Sequence, residues 1–320
     1  MNNYAAASIP AMHGDPLPVR PWRFAAICLA LFILVMMLPE AVLAPLNRAT
    51  AHLAGLCIAL FGGQARVSSD MISLDGFLVK IITECTALYC IMLHGAFIMS
   101  VPASIKARIA GFLAGGAFLT TADILRIALV TIIGAVHPAL FEAAHIYLAQ
   151  IVMLLMVIVV SLAWLRWAAN DDEWDGPFLI RIGLLASAIF PFWLMANVPY
   201  VRLADRLVSG LFNLANYRVI FSYEYAAFFQ TFNVVLYCAL MLAERRLFLR
   251  CRLACAIAGC VILAAGHLLF RIGNVLLTGF SWQPALPLTI FLNLFGEYLL
   301  PVLLWIAAIN VFSGKKENLT

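Results

Sequence analysis

Charge is what this chain has least of. Lys, Arg, Asp and Glu together make up 11% of its 320 residues, where soluble domains carry roughly 25%. A soluble globular fold is excluded, because a core of this length has no room for an apolar content of 65%. The net charge of +4 is small and forms no basic surface suited to a nucleic acid. The eight cysteines (Cys28, Cys57, Cys85, Cys90, Cys238, Cys251, Cys255 and Cys260) contain no CxxC pair, so no disulfide framework is read from them. The chain also lacks a phosphate-cradling Gly loop, an HExxH and any convincing metal-ligand spacing. Neither a metal nor an organic cofactor is expected. No small-residue cleavage site follows the first apolar run, which is read as a retained anchor rather than a signal peptide.

What is present is a series of apolar runs of the length that a hydrocarbon core of ~30 Å requires. Eight spans are expected, over Phe24–Ala44, Cys85–Val101, Ala107–Val136, His145–Ala168, Phe178–Val198, Phe228–Ala243, Leu253–Phe280 and Leu288–Phe312. The fold class is therefore an all-α polytopic membrane protein. Its parts are a tail at 1–23, a first membrane domain at 24–169, a linker at 170–177 and a four-helix membrane domain at 178–320. Basic residues orient it. Arg20 and Arg23, Lys106 and Arg108, Arg166 and Arg181, the cluster Arg245, Arg246, Arg250 and Arg252, and Lys315 and Lys316 all fall on one side. Both termini are thus expected in the cytoplasm. Two longer outer segments, Pro45–Glu84 and Pro199–Tyr225, carry some basic residues as well.

The first of these begins with an amphipathic stretch, Leu46–Phe61, suited to the membrane interface. Then Gly62–Ile82 alternates polar and apolar residues around Asp75-Gly76, a strong hairpin-turn signal. A small extracytoplasmic β-hairpin leading into Cys85 is expected.

Arg126 lies inside an apolar run, where a charge costs about 2.5–3.5 kcal/mol at the bilayer centre and marks a site or a pair. Asp123, one turn earlier, is a candidate partner at i, i+3, and a purely structural pair is the alternative. Cys85 opens the second expected span, where helix N–H groups favour a thiolate; the adjacent Glu84 opposes this. His145 opens the fourth span, again at the outer end. Thiol, imidazole and guanidinium supply the nucleophile, proton acceptor and oxyanion donor of acyl transfer.

The order Cys85, then Leu125-Arg126-Ile127, then His145 resembles exosortases and archaeosortases. The stretches IITECTALY, VPASIKARIAGFLAGG, DILRIALV and HPALFEAAHIYLAQ carry the likeness. It covers roughly Arg23 to Trp167 and looks closest to the exosortase H type. The family often has Ser-Gly after its cysteine and Asn three residues before its arginine; here Thr86-Ala87 and Asp123 stand there. The resemblance implies a cysteine transpeptidase or protease of the bacterial inner membrane, its site facing the periplasm. Its partners would be secreted proteins whose C-terminal sorting signal joins a recognition motif, a hydrophobic helix and a basic tail. Cys85 would attack the carbonyl, His145 would move the proton, and Arg126 would stabilise oxyanion or thiolate, with Asp123 and Glu84 in support.

The second half lies outside the likeness. An internal duplication is suggested by Leu125-Arg126-Ile127 against Phe270-Arg271-Ile272, and by Leu88-Tyr89-Cys90 against Leu236-Tyr237-Cys238. Chance similarity among Leu-rich helices is the alternative. Asn233 then stands near the position of Cys85. His94 reads as a packed histidine, His267 and Arg271 as a structural pair on one helix face (a remnant site or a groove for the substrate helix being the alternatives), and Glu297 near Asn293 as a partner for Arg271. Asn197, Asn213, Asn216 and Asn233 read as caps, turns and helix contacts. Two rival functions stay open: a transporter with parallel four-span repeats, which predicts paired broken helices, and a non-catalytic membrane scaffold, which predicts that Cys85 is dispensable.

Overall fold

The computed structural model describes residues 21–146, 152–169, 176–221, 229–245, 247–294, 296 and 299–313. The expected tail through Arg20, most of the linker, Tyr225, Arg246, Glu297 and the Lys315/Lys316 end lie outside the described residues. The chain divides into two compact units, with the main boundary in sequence between residues 174 and 175.

The first unit opens with α1 (Pro21–Met36), a break, and α2 (Glu40–Leu60). The two meet at a bend of 98°. Pro39 precedes α2 in extended backbone, and Glu40 places a negative charge in its first turn, where the helix dipole favours it. The expected span Phe24–Ala44 is therefore interrupted, because proline supplies no N–H to continue α1. Three short strands follow: β1 (Arg66–Ser68), β2 (Met71–Leu74) and β3 (Phe77–Lys80), antiparallel in the order β1-β2-β3. Leu74 pairs with Phe77, so Asp75 (φ 48°) and Gly76 (φ 85°) form a two-residue loop in left-handed backbone, the I′ turn that matches strand twist. The expected hairpin gains a third strand because Ser69 (φ 58°) turns the chain a second time.

A three-residue 3-10 turn (Thr83–Cys85) leads to α3 (Leu88–Ser100), then α4 (Ile105–Val136), α5 (Pro138–Ile146) and α6 (Met153–Ala169). Ser104 caps α4 by accepting from the Ala107 N–H at 3.2 Å. Helix α1 packs on α3, α2 on α4, and α3 on α4; α5 packs on α4, and α6 on both α3 and α4. Between α2 and α4 the sheet buries Ile72, Leu74 and Ile81 against Ala51, Ala54, Cys57, Ile58, Ile127 and Ala128. His94 is fully buried, its Nδ1 2.9 Å from Ser161 Oγ and its Nε2 3.2 Å from the Gly111 carbonyl. It is the packed histidine that the sequence suggests.

The second unit holds α7 (Gly176–Leu214), a 3-10 turn (Phe229–Phe232), α8 (Asn233–Ala243), α9 (Leu249–Asn274) with a π-helical turn (Val275–Gly279), α10 (Ala285–Leu294) and α11 (Leu300–Ser313). Helix α7 corrects the sequence reading. It runs unbroken through Pro191 and Pro199, so the helix of the span expected to end at Val198 continues to Leu214. The buried residues Val201, Ala204 and Val208 continue a helical stripe past the proline. The helix ends in a Schellman motif, with Asn216 at φ 62° and the Tyr217 N–H on the Phe212 carbonyl at 3.0 Å.

Among the described residues three helices are long and apolar enough to cross a membrane: α4, α7, and α9 with its π turn; the bent α1–α2 pair makes a fourth if taken as one broken span. Four other apolar helices, α3, α6, α8 and α11, have 10–17 residues, and at 1.5 Å per residue a helix needs about 20 to cross. Helix length thus supports a polytopic membrane protein with three or four full spans and does not reach the expected eight.

Replacing Gly76 by valine forces a β-branched side chain into left-handed backbone and should cost about 1–2 kcal/mol. The expected result is a lower thermal midpoint for the detergent-solubilised protein, with a smaller effect for Gly76→Asn.

Candidate functional site

The site is built outward from α4. Asp123 and Arg126 are one turn apart and both buried, at 3% and 7% exposure. The Arg126 Nε donates to Asp123 Oδ1 at 3.0 Å, and its Nη2 lies 2.9 Å from the same oxygen. Pairing is what lets the two charges stay in an apolar setting, since removing either partner leaves the other buried and uncompensated.

The same guanidinium reaches off its helix. Its Nη2 donates to the Cys85 backbone carbonyl at 2.6 Å, and the Ala87 backbone N–H faces the Asp123 carboxylate. The ion pair thus holds the chain on both sides of Thr86, just after the thiol. Thr86 Oγ1 donates to the Thr83 carbonyl at 2.7 Å and accepts from the Leu88 N–H at 3.4 Å. Thr83 Oγ1 donates to Asn47 Oδ1 on α2 at 3.4 Å.

Cys85 is half-buried in this turn. The expectation that it opens a helix is corrected: α3 starts at Leu88, and the hydroxyl of Thr86 meets the Leu88 N–H. Burial pushes the Cys85 thiol up from its ordinary range. A backbone hydrogen bond at Ile82 and the Arg126 charge pull it down, while Asp123 and the exposed Glu84 push it up.

His145 sits in the last turn of α5, and residues 147–151, the next part of the span it was expected to open, lie outside the described set. Its ring stacks on Phe141, with centroids 5.6 Å apart and planes 14° apart. Phe141 in turn meets Phe77 of β3 edge-on at 5.0 Å. Gly134 of α4 makes room for both rings, since a Cβ there would collide with Phe77 and press on Phe141. Burial lowers the His145 pKa from 6.5 to about 4, and the Arg126 charge adds to the effect. His145 is therefore a neutral imidazole at neutral pH.

The structure joins Asp123, Arg126 and the Cys85 backbone by direct bonds, and the charge of Arg126 acts on both the Cys85 thiol and His145. Sequence reasoning missed Asn47, Thr83, Thr86, Phe77 and Phe141. Asn47 alone carried a signal, as the single side-chain amide of α2. The remaining four act through tertiary contacts that no spacing reveals. Among the described residues no cluster of three or more His, Cys, Asp or Glu side chains is arranged to hold a metal.

Residues 17–160 match the family model described as transmembrane exosortase. The matched segment contains Cys85, Asp123, Arg126 and His145 and ends within α6, leaving the second unit outside. No curated protein and no solved structure matches the chain.

Asp123→Ala leaves Arg126 buried without its counter-charge and should cost about 3–5 kcal/mol in unfolding experiments in micelles. Between pH 6.5 and about 4 the unfolded chain binds a proton at His145 that the folded chain does not. Stability should fall as pH drops through that window and be level above it. His145→Gln should remove that part of the slope, and Arg126→Met should raise the NMR titration midpoint of His145.

Proposed function

Residues 17–160 belong to the transmembrane exosortase family, and from that premise we propose that the first unit is a cysteine transpeptidase acting on the C-terminal sorting signals of secreted proteins. The observation that carries this reading is the position of Arg126. It bonds the carbonyl of Cys85 at 2.6 Å while its charge acts on both the thiol and His145.

At rest the thiol and the imidazole are both uncharged, and Arg126 acts on each. In the reaction Cys85 Sγ attacks a peptide carbonyl near the recognition motif, and its proton passes to His145. The Arg126 cation favours the thiolate and the oxyanion. It also disfavours an imidazolium, so His145 gives the proton up readily to the leaving amine as the C–N bond breaks. The thioacyl group then passes to an amine acceptor or to water. Asp123 fixes the guanidinium and tempers its charge; Glu84, exposed beside the thiol, raises the thiol's pKa and restrains it in the resting enzyme.

The excess of basic residues in the segments read as cytoplasmic supports both termini on the cytoplasmic side of a bacterial inner membrane and the site on the periplasmic side. Substrate arrives there after translocation, its apolar helix still in the bilayer. A transporter would need paired broken helices. The break between α1 and α2 has no counterpart in α7, which is continuous.

A secreted reporter bearing a C-terminal recognition motif, apolar helix and basic tail should be shortened in membranes holding the wild type. Cys85→Ala should abolish this, and Arg126→Lys should slow it at least tenfold, because an ammonium cannot serve the carboxylate and the carbonyl as a planar fork does. A thioacyl adduct should be trapped only when Cys85 is present. Equal processing by Cys85→Ala would sink the proposal.

A further inference from the structure

Two thiols of the second unit lie against each other. Cys238 of α8 and Cys260 of α9 have their sulfurs 3.6 Å apart, and both side chains are half-buried. Sulfurs joined in a disulfide stand about 2.0 Å apart, so the two need close by only about 1.6 Å to bond.

The contact is set by the packing of α8 on α9. Three hydrogen bonds join the helices. His267 Nε2 meets Asn233 Oδ1 at 3.1 Å, the Tyr237 hydroxyl donates to the Cys255 carbonyl at 2.7 Å, and Arg252 Nη1 donates to the Leu242 carbonyl at 2.8 Å. The partners follow in opposite order along the two helices, so the pair is antiparallel. Its register is pinned on both sides of the thiols, by Asn233 with His267 and by Leu242 with Arg252. Gly259 sets how close the helices come. A Cβ there would collide with the Tyr237 ring and hydroxyl, and the thiols belong to the next residue of each helix, Cys238 after Tyr237 and Cys260 after Gly259. Packing as a small hydrophobe accounts for either cysteine alone. It does not require two thiols to meet where the register is pinned on both sides.

Depth selects the reagent that can reach them. Helix α9 with its π turn has 31 residues, about 45 Å at 1.5 Å per residue. Cys260 lies about 17 Å along it from Leu249. A hydrocarbon layer of ~30 Å crossed by this helix includes that point wherever along the helix the layer is placed. Ile257 and Val261, which flank Cys260 on α9, are exposed, so the pair is approached from lipid. A charged, water-soluble disulfide such as glutathione disulfide is kept out of that layer by the cost of desolvating its charges. A lipid-soluble quinone is not.

We propose that Cys238 and Cys260 are a redox pair that a lipid-soluble quinone oxidises to a disulfide latching α8 to α9. Two S–H bonds break and one S–S bond forms. The two electrons and two protons pass to the quinone, whose carbonyl oxygens become the hydroxyls of a hydroquinone. The link closes a loop over the connection between the helices and removes freedom from the unfolded chain, so it stabilises the second unit. Neither Cys85 nor a substrate takes part, so the pair stands apart from the transpeptidase reading.

The test uses the full chain in membranes, reduced with tributylphosphine, washed, and then given a short-chain ubiquinone. N-ethylmaleimide blocks the remaining thiols before unfolding. Trypsin then cuts at Arg245, Arg246, Arg250 and Arg252, between the two cysteines, so their peptides stay joined only through a disulfide. Mass spectrometry should find the joined peptide at least tenfold above a hydroquinone control, and glutathione disulfide in place of the quinone should give at least tenfold less of it. Cys238→Ser and Cys260→Ser should each abolish it, whereas Cys255→Ser, on the same tryptic peptide as Cys260, should leave it. The thermal midpoint of the oxidised wild type should rise above that of the reduced chain, with no such rise in Cys260→Ser. Absence of the joined peptide from the quinone-treated wild type would overturn the inference. So would a disulfide that forms through Cys255, one that forms equally well with glutathione disulfide, or one that leaves the midpoint unchanged.

Discussion

The buried pair of Asp123 and Arg126 is the constraint on which the first unit turns. An arginine in an apolar helix must either reach water or be paired, and here a carboxylate one turn away pairs it. That pairing uses only part of a planar guanidinium with five donors. The surplus reaches the carbonyl of Cys85, so a requirement of burial becomes a device of position. The bond is to the backbone of Cys85 and not to its sulfur, so the cation fixes the turn that carries the thiol.

The rest of the unit frames that device. Helix α2 and the sheet close against α4 through Ile58, Ile72 and Ile127, and Thr83 ties the cysteine turn to Asn47. On the other side the tip of β3 supports His145 indirectly, Phe77 against Phe141 and Phe141 against the imidazole. A tight I′ turn at Asp75-Gly76 is what brings Phe77 to the tip. The hairpin thus connects turn chemistry, at one end of a causal chain, to the placement of the imidazole at the other.

What was legible in the sequence is what is local. Asp123 and Arg126 are three residues apart on one helix, Asp75-Gly76 specifies its own turn, and the apolar run of α4 announces its length. Each is decided by neighbours in the chain. What was not legible depends on distant partners. Pro199 reads as a helix end, yet burial of Val201, Ala204 and Val208 carries α7 through it. Cys85 reads as a helix start, yet Thr86 takes the N–H of Leu88 and shifts the start by three residues. Arg271 was matched to Glu297, which lies outside the described residues; the carboxylate the structure pairs with it is Asp205, 66 residues away on another helix. Among the described residues the helices long enough to cross number three or four against the eight spans expected, for a related reason. Hydropathy reports that a segment is apolar, not that it is one continuous helix.

The two arginines also show how a charge in an apolar unit sets what the unit can do. Arg126 takes its aspartate from its own helix, with one oxygen, and keeps donors free for the cysteine turn. Arg271 takes both oxygens of an aspartate from another helix. Bidentate pairing consumes the fork and leaves less of it for a neighbour. One cation is therefore directed toward the cysteine turn of its unit and the other toward holding α7 and α9 together. In the second unit the Asn233 oxygen accepts from Nε2 of His267, whose Nδ1 accepts from the Tyr200 hydroxyl. The cost of a buried arginine is relieved in both units by an aspartate, and the number of carboxylate oxygens engaged decides how much of the fork is left to reach another element.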